Sequence, residues 1–360
     1  MSLRRIGRNR IDQANVIVLL DGQWGSTGKG KLSGRLGREV EFDLVCSSFG
    51  PNAGHTYVDS ESGVERKVIF KHIPTAAVTS KCPVCILPDS VIDVERLMSE
   101  VEQVGQPVFV HPRTAVVTKD DANAAAITGR HLAGTMRGTG HAIARKILRI
   151  EGTKLAKDVL PSSMIEDTTD LIHSCARSGG RVLVEMSQGF DLSVNHGFDY
   201  PYLTSRDITI GTAMNAAGLT LKDNIAVVGS LRVFPIRVGN VEGGWSGPHH
   251  SDQMEVTWSM VTGSSHSPDP IEERTTVTNR VRRVFTFSYR QMMRFVEQCA
   301  PDALFLNFIQ YLDASMKGVQ TVDGLIPAAT SMISSIERAS GVPILWVGTG
   351  ADDKDMVQMI

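Results

Sequence analysis

No stretch of this 360-residue chain approaches the ~20 consecutive apolar residues that a bilayer-spanning helix requires, so no membrane segment is expected. Charge of one sign is also missing. Lys and Arg number 37 against 39 Asp and Glu, a net charge of −2, which gives no global attraction to nucleic acid or to a membrane surface. A disulfide framework is excluded by five cysteines, an odd number spread over a long chain, and a reducing compartment is implied. Cys82 and Cys85 have C-x-x-C spacing, but no second pair completes a four-ligand zinc site. The pair runs into VCILP, a strand pattern, whereas a redox C-x-x-C opens a helix. Buried strand thiols are the reading favoured. Residues 1–14 carry four arginines with no apolar run behind them, so they read as a mobile basic arm and not as a signal peptide. There is no internal repeat.

What the chain does have is ordinary globular content, 42% hydrophobic and 21% charged residues, which excludes wholesale disorder. Short apolar runs predict strands at 16–20, 43–46, 84–87, 108–110, 181–186, 225–228, 304–308 and 344–347. Helical patterns fall at 29–36, 93–104, 122–132, 141–149, 163–176, 288–299 and 325–339. Interleaved strands and helices predict an α/β fold with a largely parallel central sheet flanked by helices, one large domain over 15–360. Residues 240–276, with VEGGWSGPHHSD and TGSSHSPDP, interrupt this pattern and read as a long mobile loop, either a lid or a surface excursion.

The strongest local signal is DGQWGSTGKGK at 21–31, where an apolar strand runs into four glycines and two lysines and then a helix. Glycines let backbone N–H groups turn toward an anion, and the helix N-terminus adds a favourable dipole. The residues singled out are Gly25, Ser26, Thr27, Gly28, Lys29, Gly30 and Lys31, with Lys29 able to reach a terminal phosphate. The spacing departs from the standard phosphate loop: five residues separate Gly22 from Gly28, and Gly30 stands where that pattern has Ser or Thr. Read without further context, the stretch is also compatible with a tight strand–helix turn bearing solvated lysines. A second loop, GPNAGHT at 50–56, follows another strand and offers Asn52, Ala53, Gly54 and His55. In a doubly wound sheet both loops face one crevice at the strands' carboxyl ends. A histidine there can donate a proton near neutrality, although a lone histidine is more often structural.

These motifs resemble those of the adenylosuccinate synthetases. QWGSTGKGK is similar to that family's QWGDEGKGK, and NAGHT to its second loop. GTMRGTG at 134–140, VEMSQG at 184–189, HGFDYPYLTS at 196–205, VTNRVRR at 277–283, and GVPI and GTG at 341–344 and 348–350 follow in the family's order. The resemblance implies a synthetase-like, P-loop-related single domain. It implies a ligase that joins L-aspartate to C6 of a purine nucleotide through a 6-phosphoryl intermediate, with Mg2+ as cofactor. By the same resemblance Ser26, Lys29 and His55 occupy the catalytic positions. Asn52, Ala53, Thr135, Gln188, Thr204, Gly348 and Gly350 bind nucleotide or phosphate, and Thr278, Arg280 and Arg282 grip the aspartate. The Gly54 carbonyl ligates the metal, and Arg149 reaches the neighbouring site of a homodimer. Arg149 and the 280–283 cluster would otherwise read as solvated basic faces.

Two departures carry specificity. Ser26 stands where the family has an aspartate that takes the N1 proton of inosine monophosphate and helps to hold magnesium. Serine is a poor base and at most a weak metal ligand, but it is smaller and uncharged and leaves room for a purine with a 2-amino group. This resembles the bacteriophage branch of the family, whose members join aspartate to dGMP on the route to diaminopurine DNA. Gln310, in LNFIQ, stands where the family reads guanine with an aspartate, and a neutral amide pairs with adenine N6–H and N1. ATP or dATP is therefore the expected donor, unless the register slides to Asp313 in YLD just downstream. The competing readings are an ordinary synthetase using IMP and GTP, and a nucleotide-binding regulator without chemistry. A cytoplasmic setting, the host's if the gene is a phage's, is expected, with no nucleic-acid partner.

Overall fold

The computed structural model describes residues 2–60, 63–275 and 278–359. In chain order its strands are β1 (Val16–Asp21), β2 (Leu44–Ser48), β3 (His55–Asp59), β4 (Arg66–Phe70), β5 (Val84–Ile86), β6 (Val91–Ile92), β7 (Val108–Val110), β8 (Ala115–Val116), β9 (Val182–Met186), β10 (Ile225–Arg232), β11 (Ile236–Arg237), β12 (Glu255–Val256), β13 (Arg283–Phe285), β14 (Ala303–Asn307), β15 (Ile344–Gly348) and β16 (Met356–Gln358). Nine of them form one sheet in the order β16-β15-β14-β10-β1-β9-β2-β5-β7. Every pair in it is parallel except β15 with β16.

The eight strands expected from apolar runs are the eight parallel strands of this sheet. The reason lies in β1, whose six residues are all buried. Val16, Val18 and Leu20 enter the core on one face, and Ile17 and Leu19 the core on the other. A strand covered on both faces reads as an uninterrupted apolar run. β10 extends to Arg232, past the expected end at 228, because its last residues, Gly229, Ser230, Leu231 and Arg232, are not uniformly apolar although all are buried. The hairpin β3–β4 and the antiparallel edge β16 lack such runs, and the sequence reading missed them.

Two expectations are corrected. The basic arm is a helix, Leu3–Gln13, capped by the Ser2 side chain, with Ile11 buried. Two of its arginines tie it to the rest of the protein: Arg4 pairs with Glu337 at 2.9 Å and Arg10 with Asp302 at 3.1 Å. The segment 240–276 is not structureless either. β12 pairs with β13, which pairs with β11, and with the helix Trp258–Ser264 they enclose a small core of Ile236, Trp258, Val261 and Val284. Its His250 is buried, 2.7 Å from Asp191 and packed on Phe198. The end of this segment at 276 and the start of the VTNRVRR motif at 277 lie outside the described residues. No described helix is long and apolar enough to cross a membrane.

Candidate active site

Parallel strands deliver their carboxyl ends to one edge, and the loops after β1, β2, β9, β10 and β14 meet there. Two adjoining cavities of about 380 and 310 Å3 occupy this edge. Both are lined by Trp24, Asn52, Thr135, Gln188 and Arg282.

Asp21, fully buried at the end of β1, organises the first loop. Its carboxylate accepts from the amides of Gln23 (2.9 Å), Gly25 (3.2 Å) and Thr27 (3.3 Å), and from the Thr27 hydroxyl. Those amides therefore do not point at an open anion site. The first turn of the helix Lys29–Glu39 has N–H groups with no acceptor within the helix, the arrangement that suits an anion. Gly25 and Gly28 adopt φ of 94° and 92°, and a Cβ on Gly28 would lie 1.9 Å from the Asn307 amide nitrogen, so only glycine fits there. Ser26 also takes a left-handed backbone, φ 57°, with its side chain exposed to the larger cavity.

The larger cavity gathers Gly25, Ser26, Thr27, Gly28, Lys29, Gly30, Lys31, Ala53, Gly54, His55 and Gly350 from the expected set, and the smaller one gathers Thr204. Lys29 donates to Asp21 at 3.2 Å and to the Gln188 carbonyl at 3.0 Å, which leaves one ammonium proton for a ligand. Lys31 braces the C-terminal turn, donating to the carbonyls of Gly350 and Asp355, and burial lowers its pKa to about 8. His55 is held through Nδ1 by Glu185 at 2.7 Å and stacks on Phe49 with ring centres 3.8 Å apart.

Some expected residues stand off the cavities. Arg280 bonds the Thr278 hydroxyl and the carbonyls of Gly239 and Gly134, so both residues tie loops together, and of the expected aspartate clamp Arg282 alone lines the cavities. Asn279 takes φ 52°, a left-handed geometry that asparagine tolerates better than most residues. Gly348 packs against Asn307 inside the sheet. Gln310 sits in a 3-10 turn behind Phe308, its Oε1 buried without a partner. Arg149 caps the helix Thr139–Leu148 on the exposed surface.

Sequence reasoning passed over Asp21, Glu185, Arg232 and Glu273. Asp21 and Glu185 had a legible signal, a carboxylate ending or interrupting an apolar strand, which folding buries only with partners. Among the described residues no group of three His, Cys, Asp or Glu side chains is placed to hold a metal.

A family model for adenylosuccinate synthetase matches residues 18–161 and 150–315. The chain belongs to that family. Within it, the chain is 36% identical over 313 residues to the N6-succino-2-amino-2'-deoxyadenylate synthase of Vibrio phage phiVC8, covering 83% of this chain and 87% of that protein. The adenylosuccinate synthetase of Pyrococcus horikoshii is 29% identical, over 93% and 96%. Among solved structures, a cyanophage S-2L succinoaminodeoxyadenylate synthetase bound to dGMP and dATP superposes with a TM-score of 0.81 at 32% identity, covering 96% of this chain and 95% of that one. Plasmodium falciparum adenylosuccinate synthetase shares the fold, with a TM-score of 0.82 at 20% identity and coverage of 96% and 100%.

Proposed function

We propose that this chain is a C–N ligase that joins L-aspartate to C6 of dGMP at the expense of ATP or dATP. The products are 2-amino-2'-deoxyadenylosuccinate, the nucleoside diphosphate and phosphate, on the route to diaminopurine DNA. The observation that carries this reading is Ser26, uncharged and exposed to the cavity where the family has an aspartate. The phage relatives named for this product support it.

In the first step N1 gives up its proton to solvent, purine O6 attacks the γ-phosphorus and the nucleoside diphosphate leaves. Catalysis here is positioning and charge neutralisation, which suits the helix N-terminus and the remaining proton of Lys29. His55, kept in one orientation by Glu185, donates a hydrogen bond to the transferring group. In the second step the aspartate amine attacks C6 and phosphate leaves, with Arg282 holding a carboxylate of the incoming amino acid. Asn52, Thr135, Gln188 and Thr204, along the smaller cavity, take the dGMP phosphate.

Magnesium fits this site in its usual mode, bound mainly by substrate phosphates and water with few protein oxygens. The Gly54 carbonyl and the Ser26 hydroxyl are the oxygens available, and Asp21 is saturated by its own donors. The metal would neutralise the donor phosphates. Gln310 lies off the cavities with Oε1 buried, so for it to accept from adenine N6–H its amide must turn outward toward the cavity that Phe308 lines.

The working unit is a homodimer of single domains in the host cytoplasm. Arg149 is flanked by Ile147 and Leu148, each 68% exposed, and Ile150, 48% exposed, an apolar surface suited to a second copy. The test is phosphate release from purified protein with aspartate, magnesium and ATP or dATP, offered dGMP or IMP. Turnover with dGMP is expected, and release with IMP alone would refute the assignment.

A further inference from the structure

Arg232 ends β10 with 0% exposure although it carries a charge. A buried guanidinium needs partners, and it has them on three sides. Nη1 donates to the Ser26 carbonyl at 2.9 Å. Nη1 and Nη2 grip the Glu273 carboxylate, the former at 3.2 Å. Its carbon lies 4.0 Å from the centre of the Phe308 ring. Tyr311 donates its hydroxyl to the same carboxylate at 3.0 Å. Burial alone would raise the Glu273 pKa, but the attraction of Arg232 brings it below the ordinary value. The Arg232 backbone is held as well: its amide donates to the Gln23 side chain at 2.9 Å, and its carbonyl accepts from that side chain at 3.2 Å. One residue thus fixes both ends of the turn 23–26.

Glu273 connects this arrangement to a different loop. Its carbonyl accepts from the amide of Arg282 at 2.9 Å, and Arg282 lines both cavities. Burial lowers the pKa of Arg282, Glu273 raises it and Arg232 lowers it again, so one carboxylate stands among two cations. Neutralising Arg232 leaves Arg282 as the surplus positive charge facing the cavities. Ser26, with φ 57°, sits in backbone that persists only when its surroundings over-determine it.

We infer that the Arg232–Glu273 pair latches the loop carrying Arg282 to the Ser26 turn, making Arg232 a positioning residue that couples aspartate binding to purine choice. This rests on the roles given above to Ser26 and Arg282. An ammonium cannot replace the planar fork that serves the carboxylate and the Ser26 carbonyl together.

The test uses Glu273→Gln and Arg232→Lys in the full chain. Without ligands, hydrogen exchange at residues 22–28 is expected to quicken about tenfold in Glu273→Gln, and at 278–282 in Arg232→Lys, with β1 and β9 unchanged. The amides of Gln23, Gly25 and Thr27 report directly, because Asp21 protects them. Unaltered exchange at the remote loop would overturn the latch. In turnover, Glu273→Gln is expected to raise the KM for aspartate about tenfold, to shrink the ratio of kcat/KM for dGMP over IMP, and to move kcat less than threefold. A raised KM with an unaltered purine ratio would also overturn it. If the unmodified protein does not consume dGMP, the reaction assignment fails, and the exchange measurement still decides the latch.

Discussion

Replacing Ser26 by Asp tests the basis of purine choice at a position that tolerates the change. Ser26 is exposed to the cavity, so a carboxylate there stays hydrated in the free protein and should leave folding intact. Its φ of 57° is a geometry aspartate adopts more readily than most residues. The backbone also stays anchored, because Arg232 bonds the Ser26 carbonyl and not its side chain. The penalty therefore falls on bound dGMP, whose 2-amino group meets a bulkier, charged neighbour and loses its own solvation or partner. A buried polar group left unsatisfied costs ~1–3 kcal/mol. At about 1.4 kcal/mol per tenfold, that is roughly a 5- to 150-fold loss in kcat/KM for dGMP relative to IMP. The assay is phosphate release with both nucleotides in competition, the two succinyl products being separated by chromatography. A ratio within twofold of the unmodified protein's would refute the steric argument.

Further outcomes follow from the same geometry. His55→Ala should lower kcat by about 10²–10⁴ with ATP binding retained, and Glu185→Gln should lower it less, because the ring stays but its orientation loosens; stopped-time phosphate assays with nucleotide titrations separate the two effects. Burial holds His72 neutral down to a pKa of about 3, below its ordinary 6.5. The unfolded chain then binds the extra proton first, so stability is full above pH 6.5 and falls as the pH drops toward 3, by about 1.4 kcal/mol per unit at most. Urea midpoints at pH 7 and pH 4.5 should show a smaller difference in His72→Gln. Arg149→Ala and Lys29→Ala, each nearly inactive alone, should recover part of the activity when mixed, since a mixed dimer holds one intact composite site; no recovery would place Arg149 outside the neighbouring site.

The parallel sheet was legible because its strands are buried on both faces and announce themselves as apolar runs. Strands with one covered face or only two residues, such as β12 and β3, carry no such signature. The N-terminal helix was hidden for a related reason: its arginines look solvated until Glu337 and Asp302, distant in sequence, are placed beside them. In the site, glycines and lysines at close spacing marked the loop after β1, and most of the residues singled out do line the cavities. The misplacements concern long side chains. Arg280 was assigned to the aspartate by resemblance, whereas it is occupied by carbonyls of other loops, and Lys31, although it lines the larger cavity, also spends its ammonium on carbonyls of the C-terminal turn. The buried Asp21 and Glu185 and the half-buried Glu273 matter through contacts between segments far apart in the chain, which spacing does not encode.

The position of β1 bears on how the chain is made. This strand, without a single exposed side chain, lies between β9 and β10, whose pairing residues are 182–185 and 225–230. During synthesis it must wait, greasy and unpaired, until well over half of the polypeptide has left the ribosome. Closing such distant pairs is intrinsically slow and exposes the nascent chain to aggregation. Expression yield should therefore respond to growth temperature and to chaperone supply more sharply than the thermal resistance of the finished protein would suggest.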